Sequence, residues 1–286
     1  MCPNLLTAIK NISDFKTNDL RNYFTTYAIR INAVGQQLEY YVKDAISGSF
    51  QSAKEQTDRD RYKGIFSYLG NQNNPPDLII KNGDAFEVKK IQSFKASLAL
   101  NNSPPKDRLS CKDPRITNQC RQVDGGQWNY KEIFYVIGWV QKEKIKYLYF
   151  VQGSCYAAEK EIYERQATGL KNNIENYFGA EGLESTRTKE LGRINRIDPL
   201  GITNFRIRGM WEIQNPVNVF SYLYTYNKNR DFSLVALMLK SKFDSFPEED
   251  VKSLLADDQI EVSDVEIKNP NNPAELVSGK LITLSW

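Results

Sequence analysis

The chain has 286 residues, 41% hydrophobic and 12% aromatic, with a net charge of +3. That is enough apolar material for one elaborated domain or two small ones, while no apolar run reaches the length of a membrane span. There is no histidine, which removes Ser-His-Asp hydrolases, histidine-based ribonucleases, histidine-metal nucleases and His-ligated zinc sites; a hydrolase of this composition works with carboxylates, lysine and a hard metal.

Residues 3–13 read as a helix with Leu5, Leu6 and Ile9 on one face, and 17–28 as a second, with Asn18 as its cap. Residues 33–46, AVGQQLEYYVKDAI, space Leu38, Tyr41, Val42 and Ile46 at helical intervals, and Gly48 is a stop signal. The charged stretch 51–63 reads as helix or loop, and 64–69 as a first strand leading into a Pro75-Pro76 turn. A strand hairpin follows over 75–90. Residues 94–130 are polar and basic, with Asp113-Pro114 as a cap and first-turn proline for a short helix through Arg121. Residues 133–139 and 145–151 are dense in β-branched and aromatic residues and read as strands, the first central. A helix over 157–178, interrupted at Thr168-Gly169, precedes a strand within 202–214, a mixed segment 218–243 with a β-like SLVALMLK run, an acidic helix at 247–256 and a final strand pair. The expected fold is α/β, an αβββαβ core with a central mixed β-sheet flanked by helices, plus a C-terminal elaboration, in a single domain.

The N-terminus lacks the basic-then-apolar pattern of a signal peptide. The four cysteines (Cys2, Cys111, Cys120 and Cys155) show no C-x-x-C spacing and read as reduced thiols, so the expected location is cytoplasmic. Residues 244–266 hold nine acids against one lysine. The small net charge therefore hides an acidic tail and a basic body suited to a polyanion.

The stretch PPDLIIKNGDAFEVKK concentrates the chemistry. Leu78, Ile80, Phe86 and Val88 alternate with other residues at the strand period of two. A two-residue turn on Asn82-Gly83 pairs Asp77 with Val88 and sends Glu87 to the other face. A three-residue loop, Lys81-Asn82-Gly83 with Gly83 left-handed, pairs Asp77 with Glu87. The second register is expected, because it sends the four apolar residues to one face and Asp77, Glu87 and Lys89 to the other. Two carboxylates held together repel unless a cation lies between them. Oxygen ligands in an incomplete shell suit Mg²⁺, with Mn²⁺ as a substitute. Such a metal acidifies water and stabilises charge on a phosphate, and Lys89 is placed to orient the water or neutralise the transition state.

The αβββαβ order with Pro76-Asp77 and Glu87-Val88-Lys89 resembles the PD-(D/E)XK nuclease superfamily. The longer strings PDLIIKNGDAFEVKKIQSFKASLALNNSPPKDRL, DPRITNQCR and LGRINRIDPLGITNFRIRGMWEIQNP are similar to its NgoPII-type restriction endonucleases. The resemblance implies Mg²⁺-dependent cleavage of duplex DNA at a short GGCC-like palindrome by a homodimer, leaving 5′-phosphate and 3′-hydroxyl ends, with a companion methyltransferase protecting the same site. It also implies a catalytic core over about 33–155 and recognition and C-terminal elements over about 156–286. Many superfamily members place a further acid on the helix before the sheet. Glu39 is the match, whereas Asp44 lies about 140° further around that helix.

For DNA contacts, residues 187–208 hold Arg187, Lys189, Arg193, Arg196, Arg206 and Arg208 against Glu190 and Asp198. Arginine reads guanine O6 and N7 and also clamps phosphate; Arg206 and Arg208 share one strand face. Lys95, Asn101, Asn102, Lys106 and Arg108, in the loop after the hairpin, are further contact candidates. The aromatic strands and the 218–243 segment are expected to offer apolar surface for a dimer interface. A PD-(D/E)XK nuclease of DNA repair or phage defence, and a non-catalytic sequence-specific DNA-binding protein, remain alternative readings.

Overall fold

The computed structural model describes residues 3–21, 33–50, 62–71, 73–178 and 190–286. The N-terminal helix α1 (Leu5–Phe15) is capped by Asn4, whose side chain accepts from the N–H groups of Leu6 and Thr7. Residues 17–20 do not begin a helix. Asp19 bridges to Lys144, and the Asn18 side chain donates to the carbonyls of Ile145 (3.1 Å) and Asp231 (3.4 Å). Asn18 is a buried tie between distant strands rather than a cap. The rest of the expected 17–28 helix, and most of 51–63, lie outside the described residues. Helix α2 (Ala33–Ser47) ends as expected at Gly48, which takes φ +69. It buries Leu38, Tyr41, Val42 and Ile46.

Strands β1 (Phe66–Asn71), β2 (Asn74–Ile80), β3 (Ala85–Ile91), β6 (Tyr130–Gln141), β7 (Lys144–Gln152), β11 (Ser233–Leu239), β12 (Ile260–Asn269) and β13 (Asn272–Ser285) form one sheet. Its order is β1-β2-β3-β6-β7-β11-β13-β12, with β5 (Arg108–Ser110) added to the start of β6. The β3–β6 and β7–β11 pairs are parallel and the others antiparallel, so the sheet is mixed. Pro75 and Pro76 lie inside β2, not in a turn before it. The helical content of the crossover from β3 to β6 is short: a one-turn helix, α3 (Asn118–Arg121), capped by Thr117, and a 3₁₀ turn at Val123–Gly126. Asp113 is not its cap: it accepts from the Arg115 N–H at 2.8 Å in a preceding turn.

Both faces of the sheet are covered. On one, Leu78, Ile80, Phe86, Val88, Phe134 and Val136 pack with α1, α2 and the acidic helix at Glu248–Leu255. On the other, Ile79, Ala85, Ile133, Tyr135 and Ile137 pack with Leu98, Ile116, Cys120 and Phe220. Each fully buried aliphatic or Phe side chain is worth about 1.5–3 kcal/mol. A one-residue slip of the hairpin would turn four such residues away from their core. The loss rivals a whole domain's stability of about 5–15 kcal/mol, which is why the register is unique.

Helix α4 (Lys160–Phe178) runs unbroken through Gly169, where no atom lies near the space a Cβ would take. A glycine in an exposed helix costs only about 1 kcal/mol and need not interrupt it. The expected strand within 202–214 is two short ones. Of these, β9 (Phe205–Ile207) pairs with β8 (Gly192–Ile194) as a small ribbon, and β10 (Trp211–Ile213) pairs with β4 (Leu98–Asn101). The apolar run of β11 supplies no interface surface, since it is buried between β7 and β13, as are most apolar residues of β6 and β7.

Candidate active site

The site forms where β2 and β3 part. Their ladder pairs Ile79 with Ala85 and Leu78 with Phe86. Continuing that register sets Asp77 opposite Glu87, as the three-residue loop requires, although Asn82 (φ 56) and not Gly83 takes the left-handed position. Asparagine tolerates that conformation because its short polar side chain bonds locally. The ladder stops at Asp77, and the Asp77 carboxylate itself accepts the freed Val88 N–H at 2.6 Å. Asp77, Glu87 and Lys89 then line one open cleft.

The Lys89 ammonium donates to Glu87 Oε1 at 2.6 Å. The other Glu87 oxygen, Oε2, is buried without a hydrogen-bond partner. A buried carboxylate oxygen with no donor is costly, and here it sits beside a second acid. Burial and then the Glu87 charge push Asp77 well above the usual carboxylate range, with Glu39 adding to the effect and Lys89 opposing it. Burial draws the Lys89 ammonium down, but the surrounding carboxylates, Glu87 foremost, overcome this and hold it above its ordinary value. Glu39 is raised by burial and feels the charges of Lys43, Lys89 and Glu87. It therefore stands within electrostatic reach of the site, with Lys43 Nζ 3.9 Å away. Asp44 is turned elsewhere and accepts from the Tyr62 hydroxyl at 2.8 Å. Among the described residues no group of three or more acids or cysteines forms a complete metal cage. The Asp77–Glu87 pair with an orphaned oxygen fits a hard divalent cation that completes its shell with water and phosphate.

This electrostatics has a measurable consequence. A carboxyl whose pKa is higher in the folded than in the unfolded state loses stability as pH rises through the folded value. The metal-free protein is thus expected to weaken toward neutral pH. Asp77→Asn should reduce that dependence and melt roughly 2–4 °C higher at pH 8 in EDTA, on the order of 1 kcal/mol. A variant that melts below wild type there contradicts the repulsion.

The remaining sequence candidates separate clearly. Asn101 and Asn102 stand in the cleft wall. Lys95 is exposed on the loop after β3, where its carbonyl accepts from Asn218. Lys106 is not presented to solvent: it is buried, with Nζ 2.9 Å from Asp113 and donating to Ser103 at 2.7 Å. It is a strut for the wall and does not reach outward. Arg108 lies outside the catalytic cleft, over the Tyr130 ring at 5.0 Å. Arg193 and Arg206 are cross-strand partners on the ribbon, and Arg206 and Arg208 both approach Glu190. Arg196 is in the loop beyond them, at φ 54. Arg187 and Lys189 lie outside the described residues. Sequence reasoning missed Arg115, which lines the cleft; the DPRITNQCR string held it, but no spacing rule ties it to the acids.

A mixed sheet flanked by helices, with an acid and an acid-x-lysine pair where two strands part, defines a restriction-endonuclease-like nuclease. The family model for the NgoPII restriction endonuclease matches residues 3–268. The chain is 43% identical over 281 residues to the type II restriction enzyme NgoPII of Neisseria gonorrhoeae, covering 98% of this chain and 99% of that protein. No solved structure matches. The chain belongs to the NgoPII restriction endonuclease family and, with it, to the type II site-specific deoxyribonucleases.

Proposed function

We propose that the protein cuts both strands of duplex DNA at a short GC-rich palindrome of the GGCC class. On this reading it works as a two-fold homodimer with Mg²⁺, or Mn²⁺ in its place, and leaves 5′-phosphate and 3′-hydroxyl ends. A companion methyltransferase would shield the same word in the host. The observation that supports this best is the buried, unpartnered Glu87 oxygen beside Asp77 and Lys89. Asp77 and Glu87 would hold the cation, which when bound acidifies water and offsets charge on the phosphate. Asp77 is fixed by the Val88 N–H and lines the cleft, so it would meet a cation there already oriented. Lys89, held on Glu87, stands ready to neutralise charge that grows on the phosphate. The single-domain reading has support in the topology, since β11, β12 and β13 extend the same sheet that holds the hairpin.

The ribbon is the proposed reader of sequence. A two-stranded β-ribbon fits the major groove. Arg193 lies opposite Arg206, and Arg206 and Arg208 converge on the carboxylate of Glu190, so the ribbon carries an excess of positive charge that suits an anion. A bidentate arginine–guanine contact gives about 1–3 kcal/mol of discrimination, whereas a phosphate contact weakens all sequences alike and lowers the salt slope by about one unit. Alanine at Arg193, Arg196, Arg206 or Arg208 is therefore expected to reduce the cognate preference roughly 5- to 150-fold in Ca²⁺. If all four lower cognate and non-cognate binding equally, the ribbon only grips backbone.

The decisive experiment digests plasmid with Mg²⁺ and sequences the ends, with light scattering of the Ca²⁺ complex alongside. Discrete fragments ending at one palindrome, from two protomers on one duplex, are expected. A smear, or no cutting with tight sequence-specific binding, favours a repair-type nuclease or a non-catalytic binder respectively.

A further inference from the structure

A site built on two carboxylates repels the phosphate it must cleave, so the cleft needs a cation with hydrogen-bond donors still open. Lys89 is bound to Glu87. Lys106 is buried against Asp113 and Ser103. Arg115 remains. It lines the same cleft as Asp77, Glu87 and Lys89.

Arg115 is also held in place from several sides. Its Nε donates to the Asn102 carbonyl at 3.0 Å, and its backbone N–H to Asp113 Oδ1 at 2.8 Å. The Asn74 side chain donates to its carbonyl at 2.6 Å. Nη1 stands 3.7 Å from Asp113 Oδ1, a long-range attraction that leaves its hydrogen-bond capacity open. Nη2 has no hydrogen-bond partner among the described residues. The guanidinium is thus fixed along one edge and free along the other. A planar fork with two donor nitrogens left is the geometry that suits phosphate oxygens, and a donor fixed beforehand costs no reorganisation during reaction.

We propose that Arg115 is the phosphate clamp of the catalytic cleft, holding a non-bridging oxygen of the phosphodiester that lies over Asp77 and Glu87. The proposal rests on the nuclease reading above and assigns one further residue to it. Asp113 and Asn102 are positioning residues that aim the guanidinium. Asn74 on β2 fixes the Arg115 backbone, so the strand that carries Asp77 also anchors the residue that bears the guanidinium.

The test is a binding cycle in Ca²⁺ with a duplex bearing either the natural scissile phosphate or a neutral methylphosphonate there. The methylphosphonate weakens wild type through every group that meets that phosphate. Arg115→Ala should lose roughly tenfold less on the same change, because its share of the contact is already gone. Its single-turnover cleavage of natural DNA in Mg²⁺ should fall on the order of 100-fold. Equal losses for wild type and variant overturn the clamp and leave Arg115 a strut for Asn102. If the alanine variant does not fold, Arg115→Lys carries the same cycle: it keeps the stem and the charge but not the fork, and it should also lose less than wild type. Wild-type cleavage in Mg²⁺ is read separately, so a failed clamp leaves the nuclease reading intact, and a failed nuclease shows as uncut wild-type digests.

Discussion

Glu87→Ala or Asp77→Ala is expected to reduce cleavage by on the order of 10³- to 10⁵-fold while leaving DNA binding in Ca²⁺ within a few-fold of wild type. Lewis-acid stabilisation of a phosphoryl centre is worth several kcal/mol, and each 1.36 kcal/mol is tenfold in rate. Asp77 and Glu87 line the cleft together, and their repulsion together with burial already lifts Asp77. Removing either acid relieves that repulsion, which offsets the loss of the Val88 N–H contact in one variant and of the Lys89 contact in the other, so both should stay folded. Single-turnover cleavage with saturating enzyme is the measurement, with Glu87→Gln as the shape-preserving control. A variant that still cuts near the wild-type rate removes that acid from the site.

Lys89→Ala carries the second large effect, a loss on the order of 10²- to 10³-fold in single-turnover rate with affinity nearly unchanged. The ammonium is held 2.6 Å from Glu87 Oε1 and kept charged by the acids around it. On the proposed reading it would contribute most when charge on the phosphate peaks, and little when DNA first docks. Should affinity fall while the rate at saturation holds, Lys89 is a docking contact and the chemistry lies elsewhere.

The hairpin was readable in the sequence because its register is decided by an alternation that any slip would invert. Leu78, Ile80, Phe86 and Val88 enter one core as the three-residue loop demands. The helix α2, the central place of β6 and the closing strand pair were readable for the same reason: periodicity reports burial directly. What was missed depends on partners that no period or spacing reveals. Asn18 looks like a helix cap until Ile145 and Asp231 claim its side chain. Lys106 looks like a DNA contact until Asp113 folds back onto it. The apolar run of β11 reads equally as exposed interface or buried strand, and only its neighbours β7 and β13 decide. Strand β4 is too short to show any period, so Asn101 and Asn102 were found only as polar residues of a loop, and Arg115, which joins them in the cleft wall, was not found at all.

The pairing of β10 with β4 has an evolutionary consequence. Trp211 sits opposite Asn101, four residues after the ribbon ends at Ile207 and one residue before Asn102, whose carbonyl seats Arg115. The part that would choose the DNA word and the part that would break the bond therefore share a strand pair instead of meeting through a linker. Swapping residues 192–207 for a relative's to retarget the enzyme would also retune its cleft. New specificities in this lineage should then arise as paired changes across 98–102 and 205–213, and grafts that ignore β4 should bind their new word yet cut it slowly.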